Sequence, residues 1–135
     1  MYEWKNEYSV GVQAFDNAHK QLFTCFDEFY AAVKEGNAQE KVGLILDKTL
    51  AYTKQHFESE EKWLAGKKDP DLVPHREQHR KFQAQIEDLI QQHRAGKIAL
   101  SGSVSKALRE WLSGHIMQID QHYAARYKAL GTIAS

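Results

Sequence analysis

Two pairs of residues stand at a spacing that can hold a cation. His56 and Glu60 are four positions apart, as are His75 and His79. On a helix such residues are neighbours on one face, so each pair can reach one ion or two adjacent ions. His19, His115 and Asp120 also fall on apolar stripes. Taken singly, each of these seven reads as a hydrogen-bonded or edge-exposed core residue. Together they are five imidazoles and two carboxylates, and no Lys or Arg on the same stripes offsets them. Buried ionisable groups are costly unless paired or bound to a metal, so the set calls for a cation. Seven donors suit two ions better than one, because a single zinc takes four ligands. Imidazole with carboxylate fits iron, manganese or zinc. His115 and Asp120 are five apart, about 140° on a regular helix. Either that helix widens into a π-type turn, or the two residues flank the site from different sides.

The elements that must position these groups are legible as four amphipathic helices, at about 16–35, 38–65, 74–95 and 103–130. The first carries His19, Leu22, Phe23, Phe26, Tyr30 and Val33 at helical spacing, with Asp16 as its expected N-cap and Gly36 as its stop. The second follows Asn37, with Glu40 completing a capping-box-like pair, and carries Val42, Ile45, Thr49, Tyr52, His56, Glu60 and Leu64. Pro74 fits the first turn of the third helix, ahead of His75, His79, Phe82, Ile86 and Leu89. The fourth carries Val104, Leu108, Trp111, Leu112, His115, Ile116 and Ile119. Residues 1–15 hold Trp4, Tyr8 and Phe15 and read as an ordered arm packed on the helices. Short connections favour antiparallel neighbours. The expected fold is therefore all-α, an up-down-up-down antiparallel four-helix bundle forming a single domain over 1–135. In that topology His19, His56 with Glu60, His75 with His79, and His115 with Asp120 meet at one end of the core.

Composition narrows the function classes. Eighteen basic and eighteen acidic side chains cancel, which argues against nucleic acid and against docking on anionic lipid. No apolar run is long enough to span a bilayer, and the N-terminus lacks a signal-peptide pattern. One cysteine, Cys25, excludes an internal disulfide. A reducing, cytoplasmic setting and a monomeric chain are the expectation. His93 lies roughly 20 Å along its helix from His79 and is read as a non-ligand, as is His122. Cys25 is read as structural.

The combined text resembles the hemerythrin family, in particular its single-domain bacterial members. The resemblance rests on Asp16-x-x-His19-x-x-Leu22, His56-Phe57-x-x-Glu60-Glu61, Pro74-His75-x-x-x-His79-x-x-Phe82 and Trp111-Leu112-x-x-His115-Ile116-x-x-x-Asp120. It implies two iron ions with an oxo or hydroxo bridge between them. His75, His79 and His115 would hold one ion and His19 and His56 the other, with Glu60 and Asp120 bridging both. The second ion is then one ligand short, and dioxygen would take the open position. The oxygen pocket expected from it comprises Leu22, Phe57, Trp111, Leu112, Ile116 and Ile119, which carry almost no proton donors. Two departures from the commoner family text stand out. Gly114 precedes His115 where larger residues are frequent, and Asn17-Ala18 stands where an acidic residue and Gln are common.

Three functions compete on these residues, beside a purely structural metal bundle, which the missing ligand on one ion disfavours. The first is reversible dioxygen carriage or storage by a binding protein that is not an enzyme. The second is an oxygen- or redox-sensing domain of a signalling protein. The third is a di-iron enzyme acting on dioxygen, peroxide or nitric oxide, which needs a proton donor near the open site. Carriage is favoured, since no Glu, Tyr or Lys is evident on the expected pocket face.

Overall fold

The computed structural model describes residues 4–96 and 101–130, with the side chain of Ser101 left out. The first three residues of the expected arm and the last five of the expected domain lie outside them. The described chain is helical throughout. A 3-10 turn at Asn6–Tyr8 precedes α1 (Gln13–Glu35), α2 (Ala38–Gly66) and α3 (Leu72–Arg94). The fourth long helix has three parts: α4 (Ser101–Glu110), a π-helical segment (Trp111–Ile119) and α5 (Asp120–Ala129). α1 packs on α2, α2 on α3, and α4 closes the bundle against α1 and α3. The four helices are antiparallel, and no described helix is long and apolar enough to cross a membrane.

The helix ends show where local signals were outvoted. Asp16 is not the cap of α1, which starts earlier, at Gln13, after an extended Val12. The Asp16 carboxylate instead accepts hydrogen bonds from Ser9 Oγ at 2.6 Å and the Val10 N–H at 2.8 Å, tying the arm to the first turn. Asn37 and Glu40 form no capping box. The Asn37 N–H is used by the Ala32 carbonyl at the end of α1. Its ψ of 23° lies outside the extended region that a capping side chain needs. Gly36 does stop α1, at φ 80°, where a side chain would be strained. Tyr30 and Val33, expected on the buried stripe, are each 46% exposed, and Phe29 and Ala32 are buried in their place. Tyr30 and Val33 border a groove shared with Gly102 and Ser105 of α4, residues too small to cover them.

Two apolar clusters result. The larger holds Leu22, Phe26, Phe57, Phe82, Ile86, Trp111, Leu112 and Ile116, among others. The smaller, at the other end, holds Val10, Phe15, Leu64, Tyr123, Ala124 and Tyr127. Along each helix the polar candidates lie between these clusters: His19 between Phe15 and Leu22, Glu60 between Phe57 and Leu64, and Asp120 between Ile116 and Tyr123. The arm lies against the bundle through Trp4 and Tyr8, whose rings pack on Phe23 at 5.6 and 5.7 Å, and through the Tyr8 carbonyl, which accepts from Gln121.

Asp69, in the α2–α3 connection, fastens that end of the bundle. It accepts from the Asp71 N–H at 2.8 Å, from Arg126 at 2.7 Å and from the Tyr127 hydroxyl. Burial alone raises the carboxyl's pKa, but these donors outweigh it and hold it below the usual range. A depressed folded-state pKa adds stability above the unfolded carboxyl value, and that stability is lost as pH falls through the folded value. Asp69→Asn is therefore expected to cost about 1–3 kcal/mol at neutral pH. Its deficit relative to the unchanged protein should shrink as pH drops below about 4. Urea unfolding across that range checks both statements, and a deficit that is constant with pH contradicts the second.

Candidate metal centre

All seven candidates converge in one buried layer. Glu60 and Asp120 each turn one oxygen to either side of it. Glu60 Oε1 lies 2.8 Å from His75 Nε2 and 3.1 Å from His79 Nε2. Asp120 Oδ1 lies 3.1 Å from His75 Nε2 and 3.0 Å from His115 Nε2. On the other side Glu60 Oε2 is 3.4 Å from His56 Nε2, and Asp120 Oδ2 is 3.3 Å from His19 Nε2. The Nε2 atoms of His19 and His56 are 3.0 Å apart. The layer thus divides into a three-histidine half and a two-histidine half, spanned by both carboxylates. Ligand atoms of Glu60, His75, His79 and His115 lie within 4.8 Å of one another, as do those of His19, His56 and Glu60.

The helix with the awkward spacing solves it by widening. The Asp120 N–H bonds to the His115 carbonyl, five residues back, where an α-helix would use four. Over Trp111–Ile119 the turn takes an extra residue, so His115 and Asp120 return to one face. Of the two arrangements open to the sequence, the chain adopts the π-type turn. Gly114, exposed within this segment, lowers the preference for the regular α-helix it replaces.

The donor set fits metal ions. His79 Nε2, His115 Nε2 and both Asp120 oxygens are buried and make no hydrogen bond, although neighbours stand at about van der Waals distance or closer. Lone pairs aimed at a common space, and not at each other, are what a coordination site presents. The electrostatics agree. Burial raises the Glu60 pKa, but the facing imidazoles of His56, His75 and His79 overcome it and keep the carboxyl well below its ordinary value. Asp120 is likewise depressed, against burial and the Glu60 charge, by His115 and His19. Two buried anions therefore persist at neutral pH with no Lys or Arg in contact with them among the described residues. Their countercharge is protons or cations. In the bare site burial opposes a proton on His75, yet Asp120 and Glu60 push its pKa up to about 10. Burial lowers the pKa of His115, toward the neutral form that a ligand needs.

An outer ring of hydrogen bonds orients the imidazoles. With Nε2 turned inward, His79 Nδ1 donates to Glu61 Oε2 at 2.8 Å, and Glu61 is itself held by Arg76 at 3.0 Å. His115 Nδ1 donates to Gln78 Oε1 at 2.9 Å, and the Tyr123 hydroxyl donates to Glu60 Oε2 at 2.9 Å. Sequence reasoning missed Gln78 and Tyr123 as site residues, and saw Glu61 only as part of a motif. Their spacing, one helical turn from a ligand, was the available signal. Glu61→Gln removes the anion behind His79 and should weaken metal affinity about 10–100-fold. Competition against a chelator measures it, and an unchanged affinity rules the orienting role out.

The residues expected around an oxygen pocket do not all line one cavity. A cavity of about 10 Å³ lies against the two-histidine half, lined by Ala18, His19, Leu22, Tyr52, Thr53, His56, Phe57 and Trp111. Leu22, Phe57 and Trp111 were expected there. Leu112 and Ile116 are buried in the larger cluster but do not line it. Ile119 lines a different, half-open cavity on the three-histidine side, with Asp69, Pro74, His75 and Tyr123. The wider π turn leaves position 119 short of the face that an α-helix would give it. Tyr52 and Thr53, which both carry hydroxyls, join a lining expected to hold almost no proton donors. The Thr53 hydroxyl is donated to the Leu50 carbonyl at 2.9 Å. Gly114 borders neither cavity; it lines a surface groove over Trp111 and His115. His122 is exposed, and His93 packs on Gly43 near the start of α2, far from the layer. Cys25, off the expected stripe, is buried.

Comparison with known proteins agrees with this geometry. The sequence matches the Hemerythrin HHE cation binding domain over residues 10–127. It is 29% identical to a bacteriohemerythrin of Methylococcus capsulatus, over 87% of this chain and 88% of that one. It is 25% identical to a bacteriohemerythrin of Stenotrophomonas maltophilia, over 93% and 81% of the two chains. A myohemerythrin of Sipunculus nudus is 26% identical, over 93% and 92%. With the family's four-helix fold, its matched span and a buried layer of His, Glu and Asp ligands, this chain belongs to the hemerythrin family of cation-binding domains.

Proposed function

We propose that the domain binds dioxygen reversibly at a pair of iron ions, as a carrier or store and not as an enzyme. The observation that carries this reading is the asymmetry of the layer. His75, His79 and His115 serve one half, only His19 and His56 the other, and the small cavity abuts the half with fewer donors. A cavity of that size admits about one water-sized molecule. Bound ferrous ions supply the electrons and the open coordination position for dioxygen. The residues supply the rest. Glu60 and Asp120, each with an oxygen toward either half, would hold the ions and offset their charge. His19 and His56 leave room at one of them. Leu22, Phe57 and Trp111 keep the wall apolar and exclude bulk water. With Thr53 already donating to Leu50, Tyr52 is the one phenol among the lining residues, and the rest of the wall gives little acid assistance to cleavage of dioxygen.

The test is optical. The protein is loaded with ferrous iron without air, dioxygen is admitted, the visible charge-transfer band is recorded, and dioxygen is then pumped away. A coloured species that forms and vanishes reversibly, with two irons and one dioxygen per chain, is expected. Irreversible bleaching within one cycle would exclude carriage and favour a sensing or enzymatic role.

A further inference from the structure

The small cavity beside the two-histidine half and a larger groove share part of their lining. The groove, about 280 Å³, runs between α1 and α2. Ala18, Tyr52 and His56 line both it and the inner cavity. The groove's remaining lining includes Asn17, Gln21, Gln55 and Ser59, all uncharged. His56 marks the same place independently. Its side chain is 9% exposed, whereas the other six candidates are 5% exposed or less. The layer is therefore nearest to solvent at this seam, in its two-histidine half.

We propose that dioxygen enters and leaves between α1 and α2, through a door made by Ala18 and Tyr52. The inference rests on the function proposed above and adds the residues that set access. Ala18 lines both spaces and carries only a methyl group, so it adds little bulk to the seam on the α1 side. Tyr52 supplies the movable part, since an aromatic ring on a half-buried position can swing about its first torsion without disturbing the helix. The uncharged groove neither attracts nor repels a neutral diatomic, and it offers no ion pair that must break for the ring to move. The groove beside Gly114 is larger, about 330 Å³, but it leads to Trp111 and His115, on the three-histidine side.

The door can be read in the metal-free protein with a reporter inside the cavity. Thr53 is 3% exposed and lines it. In a Thr53→Cys, Cys25→Ser background the single thiol is labelled with methyl methanethiosulfonate under folded conditions. Ala18→Leu is expected to slow labelling several-fold, and Tyr52→Ala to speed it several-fold. Gly114→Leu, which fills the other groove, should leave the rate unchanged. Urea midpoints confirm that each variant is folded. If Gly114→Leu slows labelling while Ala18→Leu and Tyr52→Ala do not change it, access runs elsewhere and the door is wrong. Because the reporter needs neither iron nor dioxygen, this failure is separate from any failure of reversible carriage.

Discussion

Stripping the ions from the loaded domain should lower its melting temperature by about 20 °C or more. An ion present at a thousandfold excess over its Kd stabilises the folded state by about 4 kcal/mol, and the layer has places for two. For a domain of this size each kcal/mol moves the midpoint by a few degrees, roughly 3–5 °C. The bare layer is also costly by itself. Glu60 and Asp120 stay ionised at 0% and 1% exposure, and several of the facing nitrogen and oxygen atoms make no hydrogen bond. The check is thermal unfolding followed by circular dichroism, with ferrous ion in the absence of air and again after chelation. A shift below about 5 °C would mean that the layer is held by protons and that cations add little.

The second large effect is expected from Glu60→Gln. Glutamine keeps the shape and can still accept the hydrogen bond from Tyr123, which isolates the loss of charge. The two Glu60 oxygens face imidazole nitrogens on opposite sides of the layer, and the substitution turns one of them into an amide NH₂ while removing the charge that both halves share. One substitution should therefore damage both halves. Metal content after dialysis is expected to fall from two ions per chain to one or fewer. The affinity loss should exceed the about 10–100-fold that removal of an outer hydrogen bond brings. The metal-free variant should be less stable than its parent at neutral pH, because the facing imidazoles hold the Glu60 carboxyl below its usual range and that contribution is lost with the charge. Retention of two tightly held ions would show that Glu60 does not join the halves.

Much of this arrangement was legible in the residues. Helical periodicity placed four helices, and antiparallel order alone brings His19, Glu60, His75 and Asp120 to one level. The conflict at His115 and Asp120 was legible too, but only as a conflict. Choosing the π turn requires knowing that the carboxylate must face the same space as the imidazole. What stayed hidden depends on neighbours and not on pattern. Tyr30 and Phe29 are both aromatic, and the small residues opposite Tyr30 on α4, which leave its hydroxyl-bearing ring uncovered, help decide which is buried. Asp16 has the chemistry of a cap, but Ser9 and Val10 claim its oxygens. Asn37 could cap α2, but a connection this short commits its backbone to α1. Ile119 follows the expected spacing and is turned away by the widened helix. Gln78 and Tyr123 look like ordinary surface and core residues until the imidazole and carboxylate beside them are seen.

The layer of ligands separates the smaller apolar cluster, around Phe15, Leu64, Tyr123 and Tyr127, from the larger one. Bundles usually unfold as one unit because apolar contact is continuous along their length. Here that continuity is interrupted by groups that repel or leave one another unsatisfied when bare. Cations bridging the layer would make the two ends a single cooperative body, and their loss would free the smaller end to open alone. Hydrogen exchange would then show two tiers of amide protection in the metal-free protein and one in the loaded protein. The site would thus govern how much of the chain unfolds at a time, in addition to what it binds.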